Sequence, residues 1–567
     1  MKKSFIRFSL LLLIFLSFSF MSCVFNVVGI EDVHSEDIQG PTVVNDFPAG
    51  NRADVLMLFY MDGDNNLASA IWQDLNEIEY GLYCAEQNGG TSAKIDIFVL
   101  WDGNGNGDSK LYKLGSDNRL LGAGNVHTGL SKNTLDLSAN ISWIYNEKDK
   151  KYEVSMSNPK TLENYLKWIS NHYIIDDDTQ IILQFADHGG GPRSLSLSDS
   201  MAFNSRAMCQ DENTVGSNNQ ELLWTKDIPN AIKASGILSN GKKKIDLVIQ
   251  DVCNGASVEE AYEYKDVADY MLLSPNEMPA YGLNYVELIS HIRDGDCISD
   301  RHLDVEKFLD RAVCDFIGYY KQNDNFWKNF ENKLKEINKG LPIQEQLSDE
   351  AFTPLFVSMN YDKAATITAL KLSEIQNLQG NIKELASILN DNGNMFTYDN
   401  NNVEKQADYL YALFHLVLRG MGKYQTYYGT LYDIGEFADD IIEFNKINKT
   451  GKSEIETVAN NIKSCLNNIV LYSWRDGVGG ALYNKSSRRD LTGIKPFDSG
   501  SYGLVISGIS YDYNFNDEPV NLKFPGGIGK YDDRNFYSKE LQFGKDTSEW
   551  ENLMDNIIVS NRKSIFN

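Results

Sequence analysis

Two apolar runs in this chain each end in a reactive side chain. Ile181-Ile182-Leu183-Gln184-Phe185-Ala186 leads into Asp187-His188-Gly189-Gly190-Gly191, and Ile245-Asp246-Leu247-Val248-Ile249 leads into Gln250-Asp251-Val252-Cys253-Asn254-Gly255. Both read as buried parallel strands whose carboxyl ends present one chemical group, and that edge is where open α/β sheets gather their sites. An imidazole and a thiol on neighbouring tips make a base and a nucleophile. The thiolate attacks a carbonyl carbon, and the imidazole passes the proton to the leaving group. The amides of Gly189 and Cys253, left uncovered by the glycines after His188, are suited to holding the oxyanion that forms. A single buried Cys is usually an inert hydrophobe and a lone His a satisfied core residue. Polar residues at two strand ends, each followed closely by Gly, are poor core material, so it is the pair that points to chemistry.

Two further segments carry candidate groups. Asp251 stands two residues before Cys253, and residues two apart on a strand share a face, so its carboxylate projects on the nucleophile's side. The plainer role for it is a cap on the following turn. Asp102-Gly103-Asn104-Gly105-Asn106-Gly107-Asp108 has the alternating oxygen ligands of a calcium loop. Its twelfth position is Lys113, where a bidentate Glu should close the shell, so it fails as an EF-hand and reads as a Gly/Asn turn.

The elements that must position these groups alternate between strand and helix. Asp54 to Met61 is a β-rich run, followed by turn chemistry in Asp62-Gly63-Asp64-Asn65-Asn66. Leu67, Ile71, Leu75, Ile78 and Leu82 then recur at helical spacing. Ile95 to Trp101 is the next strand. Thr161 to Tyr173 reads as the helix before the His strand, Ser257 to Tyr264 as the helix after the Cys turn, and Ala268 to Ser274 as a further strand. Such alternation implies crossover units and a mostly parallel sheet. Beyond about Asp300 the texture changes to long helical stretches, Val305 to Lys321 and Trp327 to Ile337, then mixed segments in which Ser501 to Tyr511 and the Trp550 region look ordered.

At its chemical residues the chain resembles the clan of caspase-like cysteine peptidases: an apolar block, His-Gly, a spacer, a second apolar block and Asp-x-Cys. Leu58-Phe59-Tyr60-Met61-Asp62-Gly63-Asp64-Asn65-Asn66-Leu67 with Asp74-Leu75-Asn76-Glu77-Ile78-Glu79, and Ser274-Pro275-Asn276-Glu277-Met278-Pro279 with Tyr281-Gly282-Leu283-Asn284-Tyr285, are similar to segments of the clostripain family within it. Weaker echoes follow at Ala365 to Ser373 and Tyr432 to Ala438. Val252 stands where Ala is usual, and Ser274-Pro275-Asn276 where Ala-Ser-Glu is more usual.

The resemblance implies an α/β fold with a caspase-like, mostly parallel central sheet flanked by helices, completed by a mixed α+β C-terminal part. It implies a cysteine endopeptidase with catalytic His188 and Cys253. It also implies a pocket for Arg or Lys in the residue before the cut, built from Asp251 and Glu277 with Asn276 adjacent. Self-cleavage between His188 and Cys253 is expected in such a family, and Arg193, Arg206, Lys226, Lys233 and Lys242-Lys243-Lys244 are the basic residues there, with the stretch around Arg206 favoured. No organic cofactor is implied. Calcium dependence is known in that family, so the resemblance leaves room for a calcium ion, at no position the sequence fixes. The alternatives are a binding module that keeps the fold without activity, and a caspase-like peptidase cutting after acidic or Asn residues.

The chain opens with Lys2, Lys3 and Arg7, an apolar stretch from Phe8 to Phe20, and Met21-Ser22-Cys23. This is a secretory signal, too short to span a bilayer, and the small residue before Cys23 makes that cysteine a candidate lipidated first residue of a bacterial lipoprotein. Phe20 stands where Leu is more usual. The organisation read from the sequence is a signal over 1–22, an acidic tether over 23–52, a catalytic core over 53–300 and a helical and mixed region over 301–567. The localisation expected is the cell envelope or surface, with membrane contact through the Cys23 lipid. A net charge of −26 argues against nucleic acid, which needs basic patches, and favours basic peptide substrates modestly. The seven cysteines are scattered without close-spaced pairs, so neither a disulfide framework nor a zinc set is indicated.

Overall fold

The structure is a computed structural model that describes residues 40–89, 92–119, 130–146, 150–189, 208–211, 222–239, 241–275, 278, 282–293, 297–322, 365–391, 395–400, 403–408, 431–448, 451–475, 502–507, 510–513, 519–523, 537 and 541–565. The chain falls into two compact units, each discontinuous in sequence. The first takes residues up to His188 together with 209–221 and 278–365, and the second takes 189–208, 222–277 and 366–567.

Six main strands belong to the first unit: β1 (Thr42–Val43), β2 (Val55–Gly63), β3 (Ile95–Gly103), β4 (Lys110–Lys113), β5 (Leu135–Asp136) and β6 (Gln180–Ala186), in the spatial order β1-β5-β4-β3-β2-β6. β2 is parallel to both β3 and β6, from Val55 opposite Ile95 and Gln180 onward. All three are buried along their whole length, as apolar runs covered on both faces must be. β4 and β5 turn the far edge antiparallel. Helix α1 (Ala68–Gln87) buries Ile71, Leu75, Ile78 and Leu82, the residues whose spacing announced it. Each such side chain contributes about 1.5–3 kcal/mol on burial. Gly81 of α1 allows the helix Tyr285–Arg293 to come close, since a Cβ there would sit 2.8 Å from the Val286 carbonyl. Helix α2 (Pro159–His172) starts at an Asn158 cap, whose side chain accepts from the Lys160 amide at 3.0 Å, with Pro159 at its first position.

The second unit carries β7 (Ile245–Asp251), β8 (Ala268–Leu273), β9 (Thr366–Lys371) and β10 (Val470–Arg475) in that spatial order. β7 and β8 are parallel, and β9 and β10 add antiparallel. Helices α3 (Val258–Glu263), α4 (Ile375–Asn390) and α5 (Ser453–Ile469) pack their apolar faces here. The architecture is the α/β class expected, a mostly parallel sheet with flanking helices and a mixed α+β C-terminal part. The helix expected over Val305 to Lys321 is present as Val305–Gln322, whereas that over Trp327 to Ile337 lies outside the described residues. Among the described residues no helix is long and apolar enough to cross a membrane.

Two local differences from the sequence reading matter. The segment expected as turn from Asp62 is still strand through Gly63, and β3 likewise runs on to Gly103. Gly63 permits this, because the Trp101 ring occupies the space a Cβ would need, 2.5 Å away. The extension sets Asp62 opposite Asp102. Residues 40–52, read as tether, are partly docked: Thr42–Val43 pairs with β5, and the Phe47 ring lies 5.6 Å from Trp168 and 6.1 Å from Phe98. A half-buried aromatic such as Phe47 gives contact area that holds an otherwise polar segment.

Candidate active site

His188 follows directly on β6, one residue past Asp187. Its Nε2 lies 2.6 Å from Asn66 Oδ1. An amide oxygen only accepts, so Nε2 carries the hydrogen and Nδ1 is left with the lone pair able to take a proton. Burial lowers the imidazole pKa from 6.5 to about 4, so the ring is neutral at physiological pH. The turn that supplies Asn66 is fixed by its own side chains. Asp62 Oδ1 accepts from the Asp64 amide at 3.0 Å, Asn65 Oδ1 from the Leu67 amide at 2.8 Å, and Asn65 Nδ2 donates to Asp187 Oδ1 at 2.7 Å. The tip of β6 is thereby tied to the end of β2 on both sides of the Asp187–His188 bond.

Gly189 belongs to the second unit, where it bridges to Met208. A Cβ on Gly189 would lie 2.5 Å from the Cys253 carbonyl oxygen and 2.6 Å from Val252 Cβ. The residue that follows His188 in the chain is therefore packed directly on the Cys253 backbone, and only glycine fits there.

Cys253 is half-buried in the turn after β7, and Asp251, the last residue of β7, is buried. Local interactions hold this turn rigidly. Asn254 adopts φ +57°, a left-handed conformation that Asn tolerates better than most residues. A Cβ on Gly255 would meet Gln250 Oε1 at 2.7 Å. The Ala256 amide donates to the Ser274 carbonyl at 2.9 Å and its carbonyl accepts from the Val505 amide at 3.0 Å. Ser257 then caps α3 by accepting from the Glu260 amide at 3.0 Å, while the Glu260 carboxylate accepts from Gln250 Nε2 at 2.7 Å and Thr225 Oγ1 at 2.6 Å. Burial raises the Glu260 pKa to about 7.

The other sequence candidates divide cleanly. Asn276, Glu277, Arg193, Arg206 and Cys23 lie outside the described residues. Of the lysines between His188 and Cys253, Lys242 is buried and paired with Asp246 at 2.6 Å, and Lys244 is paired with Asp269 at 3.2 Å, so neither is presented as a free extended segment. None of the six described cysteines is in a disulfide. Burial pushes the Cys314 thiol up to about 11 and raises that of Cys465, which leaves both poorly nucleophilic.

Sequence reasoning missed Asn66. The signal was there in part, two consecutive Asn residues directly after a buried strand, but its partner is 122 residues away and no local spacing connects them. It also missed a group of buried carboxylates behind the same turn. Asp62, Asp64, Asp102, Glu153, Asp187 and Asp211 are all buried in the first unit. The Asp102 carboxyl is held well above the usual carboxylate range by burial and by the charges of Glu153, Asp211 and Asp64, against the hydrogen bond from Ser109.

Comparison with known proteins gives a consistent result. The model of the clostripain family matches residues 59–492. Clostripain of Hathewaya histolytica is 25% identical over 253 residues, which are 42% of this chain and 42% of that protein, so the chain spans about two fifths of the length of that curated relative. Among solved structures, an inactive zymogen C11 protease from Parabacteroides distasonis aligns with a TM-score of 0.47 and 16% identity over 88% of this chain and 99% of the other. A secreted C11 cysteine protease from Bacteroides thetaiotaomicron, in complex with an irreversible peptide inhibitor, aligns with a TM-score of 0.46 and 14% identity over 87% and 99%.

Proposed function

The chain belongs to the clostripain family, and from that premise we propose that it is an exported cysteine endopeptidase that cleaves after Arg or Lys. Cys253 is the nucleophile. His188 takes the thiol proton on Nδ1 as the sulfur attacks and returns it to the leaving amine, and Asn66 is the positioning residue that fixes the ring. The Gly189 and Cys253 amides receive the oxyanion. The observation that supports this most is the pair of constraints on one dipeptide: Asn66 holds His188 at 2.6 Å, and Gly189 is packed on the Cys253 carbonyl.

Because the imidazole is neutral, the thiol and the ring do not begin as a fully formed ion pair. Proton transfer accompanies attack, and the Asn66 acceptor strengthens its bond to Nε2–H as the ring becomes charged. Asp251, with Glu277 and Asn276, recognises the basic side chain by charge-assisted hydrogen bonds. Maturation proceeds by self-cleavage in the segment between His188 and Cys253, and Cys23 carries the lipid that holds the enzyme at the cell envelope. Hydrolysis of Arg-, Lys-, Asp- and Asn-ending fluorogenic peptides by the wild type and by Cys253→Ala tests the reading. Cleavage after Arg or Lys that the variant lacks supports it, while equal cleavage by both removes the nucleophile. Asp251→Asn is expected to lose at least tenfold in kcat/KM on Lys and Arg peptides. Radiolabelled palmitate incorporated by the wild type and not by Cys23→Ala tests the anchor.

A further inference from the structure

The cleavage chemistry leaves Glu259 unused, although it lies in the first turn of α3, six residues past Cys253, and is fully buried. Its Oε1 accepts from the Ser507 amide at 2.9 Å and from the Tyr537 hydroxyl at 2.8 Å, groups that follow it by 248 and 278 positions in the chain. Burial raises the Glu259 pKa, and the hydrogen bonds from Ser507 and Tyr537 act against that rise. The same distant segment touches the nucleophile turn directly. The Val505 amide donates to the Ala256 carbonyl at 3.0 Å, and Ser257 forms a parallel bridge to Val505. Within the second unit, the strand Val505–Ser507 therefore grips the chain after Cys253 both at Ala256 and at Glu259.

That strand is fastened in turn from its other side. It pairs antiparallel with Leu431–Asp433, Asp433 Oδ2 accepts from the Gly503 amide at 2.9 Å, and the Ser507 carbonyl accepts from Trp550 Nε1 at 2.8 Å. The C-terminal helices hold the far end of α3, where Glu263 Oε1 accepts from the Gln542 and Phe543 amides and the Tyr262 hydroxyl donates to Asp546 Oδ2 at 2.8 Å. Burying a carboxyl group is less favourable than burying an apolar side chain of similar volume, and what it adds is geometry: directional hydrogen bonds hold α3 at one offset from the strand, where apolar packing would tolerate sliding. We propose that Glu259 is a positioning residue for Cys253, locking α3 to the strand Val505–Ser507 so that the C-terminal segment sets where the nucleophile and its amide stand. The proposal rests on the peptidase reading of Cys253. The path from one to the other is short. The Ala256 amide is bonded to the Ser274 carbonyl and the Ala256 carbonyl to the Val505 amide, so a displaced strand shifts the backbone of the turn. A misplacement of about 1 Å at a reacting atom costs on the order of 100-fold in rate.

Glu259→Ala removes the acceptor of both remote donors. Assayed as the purified full chain well below its melting temperature, it is expected to lose roughly 10- to 100-fold in kcat on a Lys-ending fluorogenic peptide, with KM within about twofold of the wild type. Glu259→Gln keeps an oxygen acceptor of the same reach and should restore kcat to within about threefold. Ile462→Ala empties core volume in α5 and touches none of these hydrogen bonds, so it should lower the melting temperature and keep the wild-type kcat. Hydrogen exchange reads the coupling without reference to cleavage: Glu259→Ala should speed exchange over residues 252–258 by about tenfold or more and leave β2 and β3 as they are. Unchanged exchange in the turn, a wild-type kcat in Glu259→Ala, or an equal loss of kcat in Ile462→Ala overturns the proposal. A wild type that hydrolyses no peptide, with exchange responding as expected, overturns the peptidase reading instead and leaves the hold on the turn standing. Should Glu259→Ala fail to fold, Tyr537→Phe decides: a loss of about three- to tenfold in kcat at unchanged KM supports the proposal, and a wild-type kcat overturns it.

Discussion

The Asn66 side chain offers the sharpest perturbation of the proposed chemistry. It accepts from His188 Nε2 at 2.6 Å, on a ring whose pKa burial has lowered to about 4. Asn66→Ala removes the acceptor for a group that becomes charged in the transition state. Hydrogen bonds to charged groups contribute about 1.5–3 kcal/mol, which corresponds to roughly a 10- to 150-fold loss in kcat. KM should change little, because the interaction strengthens only as the ring gains its proton. Asn66→Asp is the more telling change. A carboxylate at hydrogen-bond distance raises an imidazole pKa by about 1–3 units, so the acid limb of kcat/KM against pH should move up by about that amount. The assay is a pH series of kcat/KM on a Lys-ending fluorogenic peptide from about pH 4 to 9. An Asn66→Ala enzyme within twofold of the wild type, or an Asn66→Asp profile whose acid limb stays in place, would refute the argument that Asn66 positions this imidazole.

Other expectations follow from neighbouring residues. Gly189→Ala places a Cβ 2.5 Å from the Cys253 carbonyl oxygen; forcing the backbones apart should cost about 1–3 kcal/mol in a denaturant melt and at least tenfold in kcat, and an unchanged protein would show that the packing is not tight. Cys253→Ala should fold with an unchanged melting temperature while losing all cleavage, self-processing included. Glu79 is buried against Thr134 and Ser131 with its pKa raised to about 8. Its neutral form is the one the fold accommodates, so its contribution is fully present below about pH 4.5 and is lost as pH rises through 8. Stability should therefore fall by up to about 1.4 kcal/mol per pH unit in that window for the wild type relative to Glu79→Gln, and parallel pH–stability curves for the two would contradict this.

Much of the architecture was legible because burial on both faces leaves a plain signature. The runs at 181–186 and 245–249 are apolar at all but one position each, Gln184 and Asp246, and could hardly be anything but covered strands, and Leu67 to Leu82 carried helical spacing along one face of α1. His188 and Cys253 stood out because each breaks such a run at its end. The remaining site features depend on contacts between distant segments. Asn66 reaches a residue 122 positions away, and Glu153 meets Asp102 only after an excursion through β4 and β5. Asp62 and Gly63 look like turn residues on composition. They are strand because a Trp101 ring fills the place of the missing Cβ, which no local propensity reports. Phe47 sits in a polar stretch, and its docking among Phe98, Trp168 and Tyr173 overrides the surrounding composition.

The central claim is that Cys253 is the one thiol in the chain that attacks carbonyl carbon with the help of His188. The direct measurement is intact-protein and peptide mass spectrometry after brief exposure to a Lys-ending peptidyl vinyl sulfone. The account predicts a single adduct, located on Cys253, and its disappearance in His188→Ala. An adduct on Cys84, Cys314 or Cys465 instead, or undiminished labelling of Cys253 without the imidazole, would contradict it.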